Sequence, residues 1–222
     1  MSAPEVWPGE EPEVDDGFAA DAEPAPEAVA APEAPDRAEA EPEVAGDEGE
    51  PELRLAAHAP GELDVPDDVD VLEGEPRGTG KGVGIVAARF NGEVTNRLLQ
   101  AALAELEEAG VDRGSVTVMA VPGAFELPLG AMALAKTRRY ACLVALGCVI
   151  RGETAHFDYV AGEAASGLQL AALETGIPVA FGVLTVDTLE QALARVEKGA
   201  AAVRTALEMA DLFSQLRKTA QK

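Results

Sequence analysis

Residues 141–159 read Ala-Cys-Leu-Val-Ala-Leu-Gly-Cys-Val-Ile-Arg-Gly-Glu-Thr-Ala-His-Phe-Asp-Tyr. The apolar first half is typical of a buried strand, and the pattern that follows is that of a long helix. In the turn between them, Gly152 and Thr154 can direct backbone N–H groups toward an anion at the helix start. His156 lies in the first turn of that helix. A lone histidine is more often packed than catalytic, so its interpretation depends on its surroundings.

The order of strand, loop and helix recurs along the chain. Alternating short apolar strands and helices predict a parallel sheet that is covered on both faces, with right-handed crossovers. We therefore expect an α/β fold, a three-layer α/β/α domain with a four-stranded parallel sheet of flavodoxin-like type. The predicted strands are 83–87, 116–121, 141–149 and 179–184, with a possible short strand at 71–74, and the predicted helices include 157–175, 188–196 and 199–217.

The charge of the chain is concentrated near its N-terminus. Of the net charge of −23, residues 1–80 carry 25 Asp and Glu against three Arg, whereas the rest carries 15 acidic and 14 basic residues. Twelve of the 15 prolines also fall in residues 1–80, so no apolar periodicity can build a core there. We predict a disordered acidic extension rich in Ala, Pro and Glu over residues 1–68, followed by one domain over residues 69–222.

Composition also limits the environment and the partners of the domain. No apolar run is long enough to span a bilayer and no signal peptide is visible, so we expect a cytoplasmic protein. Cys142 and Cys148 have no metal-ligand spacing and are predicted to be reduced core residues. The balanced charge of the domain argues against nucleic acid. The acidic extension is expected to solvate the protein, with recruitment of a basic partner as the alternative.

The glycine-rich run at residues 78–84 imitates a phosphate-binding loop. Such a loop follows a strand and opens a helix, whereas this run precedes the predicted strand 83–87, and no Ser or Thr follows Lys81. We interpret the run as a flexible lead-in. The absence of a phosphate loop after the first strand also argues against a flavodoxin-like binding domain.

In open parallel sheets, ligands bind at the carboxyl ends of the strands. The loops at that edge begin at Arg89, Pro122, Gly147 and Thr185. They carry two aromatic rings, carboxylates, the anion-binding turn and the histidine, a set able to stack a planar ring and hold a phosphate. The expected pocket contains Phe90, Asn91, Ala124, Phe125, Glu126, the turn 151–156 and Asp187.

Five segments occur in a distinctive order: 89–91 (Arg-Phe-Asn), 121–126 (Val-Pro-Gly-Ala-Phe-Glu), 147–159, 181–185 (Phe-Gly-Val-Leu-Thr) and 190–195, where Glu-Gln-Ala is followed by Arg195. Together they resemble the lumazine synthase (6,7-dimethyl-8-ribityllumazine synthase) family of riboflavin biosynthesis, and the resemblance covers about residues 71–217. It implies condensation of 5-amino-6-ribitylaminouracil with 3,4-dihydroxy-2-butanone 4-phosphate. Phosphate and water would be released, without a metal or an organic cofactor.

The resemblance implies a role for each matched residue. Phe90 would stack on the pyrimidine, and His156 would transfer protons, a task that suits imidazole at neutral pH because its pKa is near 6.5 in peptides. Arg195 and the turn 152–154 would bind the phosphate, with Lys198 in the place of the family's phosphate-side lysine. The other implied substrate-binding residues are Asn91, Ala124, Phe125, Glu126, Cys148, Val149, Ile150, Gly152, Glu153, Thr154 and Phe181.

The resemblance also implies identical subunits as partners, in pentamers or sixty-subunit shells whose neighbouring subunit supplies Phe181 and Arg195. The chain departs from the family pattern in its acidic extension and in a link from Arg195 to Gly199 that is several residues shorter. Assembly size, the role of the extension and the reach of Lys198 stay open. So do two alternative functions: a riboflavin synthase type that consumes the lumazine, and a shell-forming protein that has lost activity.

Overall fold

A computed structural model describes residues 65–66 and 68–219, and it shows the predicted α/β architecture. Four parallel strands form one sheet in the order β2-β1-β3-β4. The sheet has helices on both faces, which confirms the three-layer prediction. The elements are β1 (Val83–Ala88), α1 (Gly92–Glu108), β2 (Val116–Val121), α2 (Leu127–Lys136), β3 (Cys142–Ile150), α3 (His156–Thr175), β4 (Val179–Val186), α4 (Leu189–Leu193) and α5 (Lys198–Thr219).

The two central strands explain the apolar runs of the sequence. Every residue of β1 is buried, as is every residue of β3 except the last, Ile150. Such strands are covered on both faces and therefore lack a polar alternation. One core lies under α1, α4 and α5 and includes Leu98 and Leu207. The other lies under α2 and α3 and includes Leu127 and Leu168.

The helix that begins at His156 is fixed against its neighbour by a glycine. A Cβ atom on Gly167 would lie 2.7 Å from the Cβ of Pro128, so α3 can approach α2 closely only because this side chain is absent. The helix ends at Gly176, which adopts the left-handed conformation with φ 64°. The predicted helix 157–175 is therefore correct to within one residue.

Three sequence expectations differ from the structure or fall outside the described residues. The short strand predicted at 71–74 is wrong, because this segment is irregular; the backbone N–H of Glu75 donates to Asp211 Oδ2 (3.3 Å), and Gln215 Nε2 donates to the carbonyl of Glu73 (2.8 Å). The helix predicted at 188–196 is shorter: Thr188 caps its start by accepting a hydrogen bond from Gln191 N at 3.2 Å, but α4 ends at Leu193 and residues 194–197 form turns. The predicted extension, residues 1–68, falls outside the described residues apart from 65–66 and 68.

Within the described part of the chain, no helix combines the length and the apolar character needed to cross a bilayer.

Candidate active site

The strand order creates a crevice at the carboxyl end of the sheet. The chain passes from β1 outward to β2 and then returns to place β3 on the other side of β1. At such a switch point the loops after the two adjacent strands run in opposite directions and leave a space between them. A hydrogen bond from Asn91 Nδ2 to the carbonyl of Cys148 (2.9 Å) joins the loop after β1 to the end of β3.

The loop after β1 presents an aromatic ring to this space. The backbone N–H of Phe90 donates to the carbonyl of Pro122 at 3.0 Å, which extends the β1–β2 pairing beyond the strands. Asn91 then adopts the left-handed conformation (φ 54°, ψ 43°), which asparagine tolerates better than most residues. Its side chain makes no capping bond to α1 and reaches Cys148 instead. Phe90 is left 71% exposed.

The loop after β2 presents a second ring. Ala124–Glu126 form a single 3₁₀ turn, and the carboxylate of Glu126 accepts a hydrogen bond from Gly123 N at 2.9 Å. This bond fixes the turn from within and leaves the Phe125 ring 56% exposed at the same edge of the sheet as Phe90.

The turn between β3 and α3 leaves the start of a long helix open. The N-cap residue, Ala155, has no side chain able to accept a hydrogen bond, and the hydroxyl of Thr154 accepts only a long one, 3.4 Å, from His156 N. Gly152 and Thr154 are both exposed. The first turn of α3 therefore offers backbone N–H groups and the positive end of the helix dipole to an anion.

These loops enclose a cavity of about 600 Å³, which we call the rim cavity. It contains most of the predicted site residues, and it also contains four that the sequence did not single out: Gly123, Phe157, Tyr159 and Val160. Tyr159 and Val160 lie three and four residues after His156, on the same helix face, so helical spacing could have indicated them. The predicted residues that line it are Phe90, Asn91, Ala124, Phe125, Glu126, Cys148, Val149, Ile150, Gly152, Thr154 and His156.

Other predicted residues lie elsewhere in the chain. Glu153 is exposed and does not line the rim cavity. Phe181 and Lys198 line a separate hollow of about 380 Å³ on the outer side of β4. Arg195 follows α4, and its Nη1 donates to the carbonyl of Gln191 at 2.9 Å. Asp187, which was expected in the pocket, pairs with Arg151.

Cys148 is the one thiol in the rim cavity, and its environment disfavours the reactive thiolate. Burial raises the pKa of Cys148 to about 11, because the thiolate would be poorly solvated there. Both Cys142 and Cys148 are buried and unpaired, as the sequence predicted. Among the described residues, no three His, Cys, Asp or Glu side chains are grouped so that they could hold a metal ion.

Comparisons with known proteins agree with this geometry. The family model described as 6,7-dimethyl-8-ribityllumazine synthase matches residues 80–214, a span that contains all the loops of the rim cavity. Three curated proteins of that name are each 48% identical to this chain over 155 residues. They come from Yersinia pestis (strain Pestoides F), Yersinia pseudotuberculosis serotype O:1b (strain IP 31758) and Yersinia pestis bv. Antiqua (strain Angola).

The alignments cover 99% of each Yersinia protein and 67% of this chain. The relatives are thus matched almost from end to end, while a third of this chain lies outside the alignment. The family model covers the whole sheet and the loops at its carboxyl edge, the relatives are 48% identical, and on these grounds the chain belongs to the 6,7-dimethyl-8-ribityllumazine synthase family.

Proposed function

We propose that this chain is a lumazine synthase, a transferase of riboflavin biosynthesis. It condenses 5-amino-6-ribitylaminouracil with 3,4-dihydroxy-2-butanone 4-phosphate to give 6,7-dimethyl-8-ribityllumazine, phosphate and water. One observation carries the proposal. Within the segment that matches the family, a single cavity contains the exposed rings of Phe90 and Phe125, an uncapped helix start and His156.

We assign the planar substrate to the part of the rim cavity that Phe90 and Phe125 line. A pyrimidine ring stacks favourably on an aromatic face, and both rings are exposed at this edge of the sheet. The apolar carboxyl end of β3, residues 148–150, forms the wall beside these rings. Glu126 and Asn91 are the polar groups that fix the orientation of the ring and of its ribityl chain.

We assign the phosphate of the second substrate to the start of α3. The open N–H groups of the turn 152–154 and the helix dipole both favour a dianion there. Arg195 adds a planar guanidinium, which can donate two parallel hydrogen bonds to phosphate oxygens. We assign a second positive charge to Lys198, which lies outside the rim cavity of its own chain. The phosphate is also the leaving group, so the same contacts stabilise the charge that it takes away.

His156 is the residue we assign to proton transfer. The amine of the pyrimidine loses protons as it displaces water from the carbonyl, the elimination of phosphate removes a proton from carbon, and ring closure releases a second water. Imidazole can accept and return protons in each of these steps. The cavity contributes further by holding the two substrates together, which can supply about 7–11 kcal/mol of the barrier.

We further propose that the site is completed by a neighbouring copy of this chain, in a pentamer or in a sixty-subunit shell. Phe181 and Arg195 lie outside the rim cavity of their own chain, which fits a contribution to the cavity of the next subunit. The large exposed apolar side chains of Leu170, Leu173 and Phe181 are of the kind that subunit contacts cover. We place the protein in the cytoplasm, where free thiols such as its two cysteines persist.

The extension is proposed to lie outside the catalytic unit, which we assign to residues 69–222. A chain that lacks residues 1–68 should keep the kcat and both KM values of the full chain. Comparing the sedimentation of the two chains at low and high salt would show whether the acidic extension changes assembly size. A loss of kcat in the shorter chain would contradict this division.

The direct test mixes the purified full chain with both substrates and follows the absorbance and fluorescence of the lumazine. Product should form only when both substrates are present, and phosphate should appear in equal amount. The control incubates the protein with the lumazine alone. If the lumazine is consumed and riboflavin appears, the protein is of the riboflavin synthase type; if neither reaction occurs with the assembled protein, the enzyme assignment is wrong.

A further inference from the structure

We propose that Arg151 is a positioning residue for this reaction: it holds the first turn of α3, and with it His156 and the phosphate turn, in the orientation that the chemistry requires. The expected effect of Arg151 on kcat rests on the proposed function. Arg151 does not itself line the rim cavity, so it would act through the residues that do.

The side chain of Arg151 is held on two edges and one face. Its Nη1 lies 3.1 Å from Asp158 Oδ1, and its Nε lies 3.2 Å from Asp187 Oδ1. The guanidinium carbon lies 4.0 Å from the centroid of the Phe157 ring. A planar guanidinium can make all three contacts at once, whereas the ammonium group of lysine cannot.

These partners belong to different parts of the site. Asp158 and Phe157 lie in the first turn of α3, directly after His156, and Phe157 lines the rim cavity. Asp187 follows β4, and the backbone N–H of Arg151 donates to the carbonyl of Val186 at 2.9 Å. Arg151 therefore ties the helix that carries His156 to the end of the sheet.

Apart from the packing of Phe157 and Val160 against the core, few polar contacts orient the start of α3. Its N-cap residue is Ala155, which makes no side-chain cap, and the bond from His156 N to the hydroxyl of Thr154 is long. Gly152 has open space around its Cα, so the turn before the helix is not fixed by side-chain packing at that point. Phe157 packs against the core under α2 and α3, but among the described hydrogen bonds and ion pairs it is those of Arg151 that join a side chain of this first turn to the end of another strand.

The expected consequence is a change of rate rather than of stability. The three charged side chains are 46%, 62% and 68% exposed, and ion pairs at such exposure add little to the free energy of unfolding. Misplacing a reacting group by about 1 Å, however, can reduce a rate roughly 100-fold. The contacts of Arg151 can therefore matter for kcat even though they contribute little to folding.

The test compares R151M, R151K and the matched control R97M. Arg97 pairs with Glu93 at 2.9 Å on the surface of α1 and is 52% exposed, so R97M removes an ion pair of similar exposure away from the cavity. We expect R151M to lower kcat roughly 10-fold, to leave both KM values within about threefold and to keep the melting temperature. R151K should recover part of kcat through its charge, and D158N should reproduce part of the loss.

A second measurement does not depend on the reaction. Hydrogen exchange of the amides at 154–160 should be faster in R151M than in the wild type, and R97M should leave them unchanged. If the wild type made no lumazine, the proposed function would fail, and this exchange would still decide whether Arg151 holds the helix start. Equal kcat and equal exchange in R151M and R97M would overturn the proposal. So would a selective rise in KM for the phosphorylated substrate at unchanged kcat, because Arg151 would then bind substrate directly.

Discussion

The rim cavity and a second hollow lie at opposite ends of the same sheet and differ in the polar side chains that line them. The second, which we call the apolar groove, has a volume of about 340 Å³ and lies at the amino end of β4. Its only side chain with a polar group is that of Thr205, which donates to the carbonyl of Ala201. Its walls are Ala172, Leu173, Gly176, Ile177, Pro178, Val179, Ala180, Thr205, Ala206, Met209 and Phe213.

The difference follows from the direction of the strands. At the carboxyl end the chain leaves β3 and enters a helix whose first N–H groups have no partner within that helix. At the amino end α3 stops at Gly176, and Pro178 leads directly into β4. The rim cavity is also the larger of the two, but what marks it as the candidate site is the convergence of polar groups with His156, the proposed proton carrier.

The largest effect should come from removing His156, the proposed proton carrier. His156→Ala should lower kcat about 100-fold with both substrates saturating, because general acid–base catalysis by a positioned side chain contributes at least that much. Some activity should remain, since the cavity still holds the two substrates together. Steady-state kinetics on the assembled variant measures this. An unchanged kcat would remove the proton-transfer role and with it the main distinction between the two hollows.

A second prediction concerns Cys148, the one thiol in the rim cavity. Burial raises the pKa of Cys148 from 9.0 to about 11, so at pH 8 the thiolate fraction is roughly 100-fold below that of an ordinary cysteine. Iodoacetamide should therefore react with the native protein roughly 10- to 100-fold more slowly than with the unfolded chain. Mass spectrometry of timed samples gives both rates.

The same shift sets a pH dependence of stability. The folded state holds the thiol proton of Cys148 more tightly than the unfolded chain does. Its contribution to the free energy of unfolding is therefore complete below about pH 9 and is lost as the pH rises towards 11. The Cys148→Ala variant should lose less stability over that range than the wild type. Rapid alkylation of the native protein would contradict the raised pKa of Cys148.

The sequence predicted the sheet well because buried parallel strands are continuous apolar runs. The bounds predicted for β2, 116–121, are those of the structure. The false strand at 71–74 shows the limit of this argument: the backbone at Glu73 and at the adjoining Glu75 is bonded by Gln215 and Asp211, more than 130 residues away. No local pattern contains such partners.

The site was predicted from topology and from the resemblance to the family. Parallel strands bring their carboxyl ends to one edge, so Phe90, Phe125 and His156 could be expected there together. The strand order, and hence the bond from Asn91 to Cys148, cannot be obtained from periodicity. The ties of Arg151 to Asp158 and Asp187 were missed, because ion pairs between loops leave no periodic signal.

The third prediction separates stacking from general apolar contact. Phe90→Ala should raise KM for the pyrimidine about 10-fold, since aromatic stacking on a base is worth about 1–3 kcal/mol. KM for the phosphorylated substrate should change less than about threefold. Leu129→Ala is the control, because Leu129 is similarly exposed but does not line the rim cavity. Equal rises in both KM values would contradict the stacking role.

A fourth prediction tests whether the rim cavity is completed by another subunit. Arg195→Ala should raise KM for the phosphorylated substrate roughly 5- to 10-fold, because a charge-assisted hydrogen bond to phosphate is lost. At low concentrations of that substrate, His156→Ala and Arg195→Ala enzymes are both slow. Coexpressing the two chains should then restore about a quarter of the wild-type rate, since that fraction of sites would combine an intact histidine with an intact neighbouring arginine. Activity no higher than the mean of the two variants would place Arg195 in its own subunit's site.

The smallest effect should come from the apolar groove. Met209→Ala removes an apolar side chain that is 38% exposed, from a hollow whose walls offer no proton carrier, no ring pair and no open helix start. We expect kcat and both KM values to stay within about twofold of the wild type, while the melting temperature falls by about 2–4 °C through lost packing. Phe90→Ala and Met209→Ala both delete apolar surface, but at opposite ends of the sheet. Comparing the two variants shows whether the position of that surface decides its effect on kcat and KM. A selective change in KM for either substrate would mean that the amino end of the sheet communicates with the site, and the functional separation of the two hollows would then be wrong.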